Sequence, residues 1–452
     1  MSDLTLQNPA PSHPQPQSLF TPSARMKKRN AAERRFRLYG IVAIVFSLAV
    51  LAVMLFTILR DGTSAFWQTR IEIPVTLDAA VLDPKGNRDL AEMSKLTTVT
   101  YGKILAEGLK SGLAAKGVDT ADLNDKALSD LISKAAPAEL RNMVLADPDL
   151  LGQTIDISAL AMGRVDGYLK GRVTMQTAER DNLITPAQLQ LIDRMQEAEM
   201  VGMRFNLDFI TNADSSDTRP ESAGLGVAIL GSAYMMFLVL IICVPIGVAA
   251  SIYLEEFAPK NRFTDLIEVN IANLAAVPSI VYGILGLAVF INFAGLPQSA
   301  PVVGALVLSL QTLPTVIIAS RAAIRAVPPS IRDAALGIGA SRMQTVVHHV
   351  LPLAMPGILT GTILGLASAL GETAPLLLIG MVAFVSNYPA APWEGGFMDP
   401  ATALPVQVYS WASRSDPAFL ERSSGAIIVL LVFLLIMNVT AILLRRKFER
   451  RW

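Results

Sequence analysis

Long runs of apolar residues, separated by polar connections of very different lengths, dominate the pattern of hydrophobic and polar positions along the chain. The apolar core of a bilayer is about 30 Å thick, and roughly 20 residues of α-helix cross it. The pattern therefore predicts six membrane-spanning helices. The runs cover residues 38–59, 226–253, 266–293, 302–319, 352–385 and 426–444, and three prolines in the fifth predict a kink.

Lysine and arginine are unevenly distributed among the short connections, which predicts how the helices are oriented. They cluster in both terminal tails and in the connections after the second and fourth runs. The short connections on the other side carry only Arg414 and Arg422. Both termini are therefore expected to be cytoplasmic. The first run is longer than the apolar part of a cleaved signal peptide, so we expect it to remain as an anchor.

One connection, residues 61–223, is long enough to fold on its own. Residues 70–77 and 203–210 alternate between apolar and polar side chains, which predicts two strands, and residues 127–135 and 186–195 have helical patterns. Pairing of the two strands would bring the ends of the segment together beside the membrane. We predict an α+β periplasmic domain between helices 1 and 2, with a docking or spacer role.

The predicted fold is thus an all-α polytopic membrane protein with six transmembrane helices and one α+β periplasmic insertion. The N-terminal residues are rich in Pro, Ser and Gln, which favours disorder. The predicted parts are a disordered basic tail (1–37), transmembrane helix 1 (38–60), the periplasmic domain (61–223), a core with helices 2 to 6 (224–445) and a basic cytoplasmic tail (446–452).

Composition narrows the possible functions. Charged residues make up 17% of the chain and hydrophobic residues 52%, and the net charge is zero, so no basic field indicates nucleic acid. The single cysteine, Cys243, excludes a disulfide within the chain. No Gly-x4-Gly-Lys-Ser/Thr loop occurs, and we expect neither a metal nor a cofactor. We therefore expect a transport subunit that is not an enzyme and draws energy from a partner.

Residues 328–352, the coupling segment, have the pattern of two short helices joined by a turn. Each predicted helix starts with a hydroxyl residue followed three positions later by an acidic or amide residue, as in N-terminal caps. Two glycines between them would end the first helix. The capping pairs are Ser330 with Asp333 and Ser341 with Gln344, and the glycines are Gly337 and Gly339.

This segment resembles the EAA loop of ABC importer permeases, in which Glu-Ala-Ala, a glycine and a final Leu-Pro recur at fixed spacing. The matching residues are Asp333, Ala334, Ala335, Gly339, Leu351 and Pro352. Asp333 stands where Glu is usual, and His349 where Ile is usual. The resemblance implies that the segment docks into a groove of an ATPase subunit and transmits its closure to the membrane helices.

A carboxylate in the fifth run is expensive at membrane depth, so Glu372, followed by Thr373, is a candidate for a translocation pathway. We expect it to face the interior with a cationic or hydroxyl partner; a structural hydrogen bond between helices is the alternative. Upstream, Gly357, Gly361 and Gly365 belong to a ridge of small residues that predicts close helix packing, either within the chain or at a subunit interface.

The third and fourth runs supply further pathway candidates. Pro278 can break the third helix, as is tolerated where backbone faces protein or a water-filled cavity. Two arginines one turn apart at the cytoplasmic end of the fourth run could form an exit station for an anion, or they could simply mark the membrane border. The candidates are Ser279 and Tyr282 after the proline, and Gln311, Arg321 and Arg325 in the fourth run.

Two stretches resemble the phosphate-specific (PstA-like) family of ABC permeases: Pro-Ser-Ile-Val-Tyr-Gly at 278–283 and Ala-Leu-Gly-Glu-Thr-Ala-Pro-Leu at 369–376. Sulfate and molybdate permeases are similar but usually continue Gly-Glu with Phe-Gly-Ala. The resemblance covers about 226–444. It implies a bacterial inner-membrane heterodimer with a second related permease, two ATP-binding cassette subunits and a periplasmic phosphate-binding protein, in contact with membrane lipid.

Two other functions remain open on the sequence. A permease for another oxyanion, molybdate or sulfate, would share the coupling segment and most of the pattern. A membrane sensor also places an external domain between two helices, but it would carry a large cytoplasmic signalling domain after the second helix. Four more apolar runs follow there instead, so transport is the favoured function.

Overall fold

The computed structural model describes residues 24–120, 123–381 and 384–448. The chain divides into two compact units, residues 1–57 and 58–452. What is described of the first unit belongs to helix α1 (Ala24–Gly62), and its side chains from residue 25 to residue 57 are exposed. Residues 24–37 are helical, so the predicted disorder is wrong there, because Ala, Arg, Lys and Glu favour helix. The remainder of the predicted N-terminal tail lies outside the described residues.

The insertion between the first two apolar runs contains a three-stranded antiparallel sheet in the order β2-β1-β3. Its strands are β1 (Trp67–Thr76), β2 (Thr154–Leu160) and β3 (Val201–Phe205). The predicted pairing of the first and last strands is confirmed, with Trp67 opposite Phe205. The prediction missed β2, although it alternates visibly. It also made the last strand too long, because a short helix starts at Asp208.

Helices cover the sheet and enclose a hydrophobic core. The side chains of Ile71, Ile73 and Val75 are fully buried on one face of β1. Helix α4 packs closely there, since a methyl group on Gly108 would come within 2.6 Å of the Pro74 carbonyl oxygen. The helices are α2 (Ala79–Leu82), α3 (Leu90–Met93), α4 (Thr98–Ala115), α5 (Asp125–Ser129), α6 (Ala136–Ala146), α7 (Gly163–Leu169), α8 (Met175–Ala178), α9 (Pro186–Glu197) and α10 (Asp208–Thr211).

The rest of the chain is helical and contains most of the long apolar helices. In the described residues, five helices are long and apolar enough to cross a membrane, and a bent pair, α12 with α13, makes six if it counts as one span. The helices are α11 (Gly226–Ile252), α12 (Arg262–Ala275), α13 (Ser279–Gly286), α14 (Pro301–Arg325), α15 (Pro329–Gly337), α16 (Arg342–Thr345), α17 (Leu351–Leu370), α18 (Ala374–Leu378), α19 (Leu404–Ala412) and α20 (Pro417–Phe448).

Two of the predicted spans are interrupted. The third breaks before Ser279, as Pro278 predicts, and its halves are bent by 99°. The fifth ends at Leu370, so its predicted extension to residue 385 is wrong. Pro375 cannot donate the backbone hydrogen bond that would continue the helix past Gly371. Residues 382–383 of this predicted run lie outside the described residues.

The inserted domain is joined to α20 by a buried network of charges. The Lys170 ammonium lies 2.8 Å from Asp166 and 3.0 Å from Glu421, and Arg172 contacts the same two carboxylates. The Lys170, Asp166 and Glu421 side chains are only 6–7% exposed. Beside this network, Arg422 of α20 donates to the backbone oxygens of Glu221 and Ala223.

Candidate functional site

Two interrupted helices meet in the helical half of the chain. The segment after the first break, α13, packs against the segment after the second, α18. Gly283 makes this contact possible, because a methyl group there would come within 2.7 Å of the Pro375 α-carbon. Tyr282 closes the first break by donating its hydroxyl to the Leu274 carbonyl at 2.7 Å. The hydroxyl of Tyr282 is therefore already engaged, and the neighbouring Ser279 is half-buried at the start of α13.

The carboxylate of Glu372 lies in the second break and is bound by an amide. Gln311 Nε2 of α14 donates to Glu372 Oε1 at 2.6 Å. The expectation of a cationic or hydroxyl partner is wrong. Gln311 Oε1 is buried without a hydrogen-bond partner among the described residues, and Thr373 beside Glu372 is half-buried. Glu372 and Gln311, both predicted as pathway candidates, thus form one polar site whose free groups are mainly acceptor oxygens.

The two arginines at the end of α14 lie elsewhere and are paired. Arg321 Nη2 contacts Glu268 Oε1 at 2.6 Å, and its Nε is 3.5 Å from Glu255 Oε2. Arg325 binds both oxygens of Glu255, at 2.8 and 3.0 Å. Their charges are therefore compensated, which sequence reasoning missed. Adjacent Glu255 and Glu256 at the end of an apolar run were the signal that could have indicated these partners.

Arg321, Arg325, Glu255, Glu256 and Glu268 are here called the ionic cluster, and Arg332 joins the first helix of the coupling segment to it. Its guanidinium contacts Glu256 Oε1 at 2.7 Å and donates to the carbonyls of Ile324 and Val327 at the end of α14. A cavity of about 260 Å³ lies beside this contact, lined by Glu256, Arg332 and Leu336 among others. Movement of α15 would therefore act directly on the ends of α11 and α14.

The coupling segment has one short helix, a turn and the start of a long helix. Gly339 has a φ of +90°, a conformation that favours glycine. The capping box of Ser341 with Gln344 is confirmed. The predicted Ser330 cap is wrong, because Pro328 precedes the helix without a side-chain cap. The predicted second short helix starts at Arg342 as α16 but does not end before the membrane helix, because Arg342–Leu370 forms one apolar span that contains Leu351 and Pro352.

Part of this segment is unusually apolar for an exposed surface. Ile338 is 83% exposed and Met343 59% exposed at the turn. Asp333 and Ala334 are exposed on α15, whereas Ala335 is buried against the chain. The turn therefore presents an apolar tip, and the exposed Asp333 lies on the helix that precedes it.

The ridge of small residues on α17 packs against α14 of the same chain. Methyl groups on Gly357 and Gly361 would come within 2.7 and 2.2 Å of the β-carbons of Ala323 and Ala319. One on Gly365 would come within 2.9 Å of Thr312. This packing fixes α17, and hence Glu372 after its end, relative to Gln311 on α14.

Comparison with known proteins identifies the helical half. Residues 244–452 match the model of the binding-protein-dependent transport system inner membrane component family. The probable ABC transporter permease protein YqgI of Bacillus subtilis is 31% identical over 247 residues, which are 53% of this chain and 82% of YqgI. The chain belongs to this permease family. Phosphate transport system permease protein PstA 1 of Mycobacterium tuberculosis is 31% identical, over 51% of this chain and 74% of that protein.

Membership in the permease family makes the chain a multi-pass membrane protein and a component of a transport system. Among solved structures, the inward-facing MetNI methionine ABC transporter covers 50% of this chain and 95% of that chain, at 14% identity and a TM-score of 0.37. In the described residues, no group of three His, Cys, Asp or Glu side chains could hold a metal ion.

The permease carries a second family match outside its helical half. Residues 23–179 match a domain of unknown function, DUF3333. The hydrophobic core of the inserted domain extends beyond residue 179, because Leu189, Ile192 and Val201 are buried in the same cluster as Ile71. The folded unit therefore includes α9 and β3 in addition to the matched residues.

Proposed function

We propose that this permease is one of two related membrane subunits of an ATP-driven importer for inorganic phosphate. The observation that carries the proposal is its membership in a family whose relatives include phosphate transport system permease proteins, PstA 1 among them. Two ATPase subunits on the cytoplasmic side would supply the energy. An extracytoplasmic phosphate-binding protein would deliver the anion, and membrane lipid would surround the six helices.

The proposed topology counts α12 and α13 as one interrupted span, which gives six crossings with both termini in the cytoplasm. The distribution of Lys and Arg among the short connections supports this orientation. The inserted domain, residues 61–223, then lies on the periplasmic side, and the coupling segment, residues 328–352, lies in the cytoplasm. We propose the same domain limits that the sequence predicts, except that the first helix, α1, begins at Ala24 and not at residue 38.

The polar site between α14 and the second helix break suits a protonated oxyanion. The Glu372 carboxylate and Gln311 Oε1, which has no hydrogen-bond partner in the described part of the chain, are hydrogen-bond acceptors. Near neutral pH, phosphate retains at least one proton to donate to such an acceptor, whereas sulfate retains none and would meet uncompensated repulsion. The half-buried hydroxyls of Thr373 and Ser279 can donate to the other oxygens. These four residues form our candidate pathway site.

Arg321 and Arg325 have a different place in this proposal. Because both are paired with carboxylates, they would attract phosphate only when the cluster opens. Closure of the ATPases would push on the apolar tip at Ile338 and move Arg332 away from Glu256. The ionic cluster would then release its arginines towards the cytoplasmic exit.

Uptake by the complete complex in sealed vesicles tests the function. Radiolabelled phosphate should accumulate only with ATP and the binding protein present, and excess sulfate or molybdate should compete poorly. Accumulation of molybdate or sulfate in preference to phosphate would overturn the substrate. Accumulation without any ATPase subunit would overturn the mechanism.

A further inference from the structure

The inserted domain exposes a cluster of large apolar side chains where its sheet begins. Trp67, Met203, Phe205 and Leu207, here called the basal patch, are 49–59% exposed. The Trp67 and Phe205 residues lie opposite each other on β1 and β3, and their rings meet edge to face at 6.1 Å. The patch is thus a preformed surface built on β1, β3 and the turn that follows β3.

The basal patch continues the inner face of the sheet beyond the core. Side chains two apart on a strand share a face, so Trp67 lies on the same face as Ile71 and Ile73, which are fully buried. Met203 and Phe205 extend the same face from Val201, which is 7% exposed. Within the part of the chain that the structure describes, protein covers this face only at the core end.

The position of the patch in the chain indicates what covers its open end. Asn206, next to Phe205, donates its backbone N–H to the Phe66 carbonyl at 2.8 Å. The carbonyl of Phe209, three residues after Asn206, accepts a hydrogen bond of 2.8 Å from the backbone N–H of Leu225. The membrane-crossing helix α11 begins at Gly226, directly after Leu225. On its other side, Trp67 follows the end of α1 by five residues.

These short links place the patch at the level where apolar helices leave the membrane. The head-group zone on each side of a bilayer is about 5–8 Å deep, and Trp and other amphipathic side chains concentrate in it. We propose that the basal patch inserts into the lipid head-group region and holds the sheet of the inserted domain against the membrane surface. The inference rests on α1 and α11 crossing the membrane and is independent of the transported substrate.

Fluorescence quenching by spin-labelled lipid tests this proposal on the full chain in lipid nanodiscs. A nitroxide on the lipid head group should quench part of the tryptophan emission, and a nitroxide deep in the acyl chain should quench less of it. The difference between the unmodified chain and Trp67→Phe reports Trp67 alone, because the other tryptophans are common to both. Absence of a difference with the head-group nitroxide would overturn the proposal.

A matched control uses the opposite end of the same strand. Val81 on α2 is 45% exposed and lies just after the far end of β1. A strand rises about 3.3 Å per residue, so the far end of β1 is roughly 30 Å from Trp67. A tryptophan introduced by Val81→Trp should not be quenched by either lipid. Equal quenching at both positions would mean that the base of the domain is no closer to the lipid than its far end, and the insertion would be rejected.

Crosslinking distinguishes lipid from a protein partner. The Met203→Cys variant of the full chain should react with a maleimide carried on a lipid head group and should not form disulfide-linked dimers. Efficient crosslinking to a second copy or to another permease subunit, together with loss of lipid labelling, would overturn the proposal and make the patch a subunit interface.

Discussion

The surroundings of Glu372 fix its position but engage only one of its two carboxylate oxygens. The packing of α17 on α14 fixes the helix that ends two residues before it, and Gln311 binds one of its oxygens at 2.6 Å. The second oxygen has no hydrogen-bond partner among the described residues. The half-buried Glu372 carboxylate therefore has one oxygen available for a further hydrogen bond.

Replacing Glu372 by Gln should therefore reduce phosphate uptake while leaving the fold intact. The amide can still bind Gln311, but it loses the charged acceptor for a phosphate proton. A charge-assisted hydrogen bond contributes about 1.5–3 kcal/mol, so uptake should fall about tenfold or more and inhibition by sulfate should increase. Initial rates of labelled phosphate uptake, with and without sulfate, measure both effects.

Two controls accompany this substitution. Glu372→Asp retains the charge and should keep part of the uptake and its selectivity. Ser368→Ala alters an exposed hydroxyl on α17, just before the break, which among the described residues bonds to the Leu364 carbonyl of the same helix, and should have no effect. Unchanged uptake and sulfate sensitivity in Glu372→Gln would remove the residue from the pathway.

At the scale of elements, the turn between α15 and α16 is the part most easily tested. Gly339 adopts a φ of +90°, and a β-branched residue there costs on the order of 1–3 kcal/mol. Gly339→Val should distort the apolar tip at Ile338, so that phosphate uptake falls while the ATPase subunits still hydrolyse ATP. The ratio of phosphate transported to ATP hydrolysed, measured in vesicles, reports this uncoupling.

Gly337 provides the matched control for that prediction. It lies in α15, and a methyl group added there would meet no other atom within 4 Å. Gly337→Ala should leave the ratio of transport to hydrolysis unchanged and can stabilise the helix slightly. An unchanged ratio in Gly339→Val would instead rule out a coupling role for the turn.

The elements also show which features a sequence can predict. The capping box at Ser341 and the break at Pro278 are local signals, and both appear in the structure as predicted. The end of α17 at Leu370 depends on a lost backbone hydrogen bond that the hydrophobic pattern does not reveal. The pairing of Arg321 with Glu268 joins residues 53 positions apart, and only tertiary packing brings them together.

At the scale of the whole molecule, the buried ionic network makes the inserted domain part of the permease. Lys170 is only 7% exposed and lies between Asp166 and Glu421. Lys170→Met should leave two buried carboxylates sharing Arg172, and loss of one partner of a buried pair typically costs about 3–5 kcal/mol. We expect a lower unfolding temperature and faster proteolysis at the junction, both measured in detergent.

An exposed ion pair of the same domain serves as the control. Lys85 and Glu92 form a contact of 2.6 Å, but Lys85 is 68% exposed, so water screens the interaction. Lys85→Met should leave the unfolding temperature and proteolysis unchanged. If Lys170→Met behaved in the same way, the network would not be what holds the domain to α20.

Glu221 gives the junction a dependence on pH. Burial raises the pKa of its carboxyl above the usual range, although Ser133 donates a hydrogen bond to it and partly opposes the shift. Because the folded state binds the proton more tightly, stability is greatest at pH values below the unfolded pKa, near 4.3, and falls as the pH rises through the folded pKa.

Glu221→Gln removes the ionised form. The variant should therefore unfold at a higher temperature than the unmodified chain at pH 7, and the difference should shrink as the pH is lowered towards 5. A difference that grows on acidification would mean that the ionised carboxylate stabilises the junction instead.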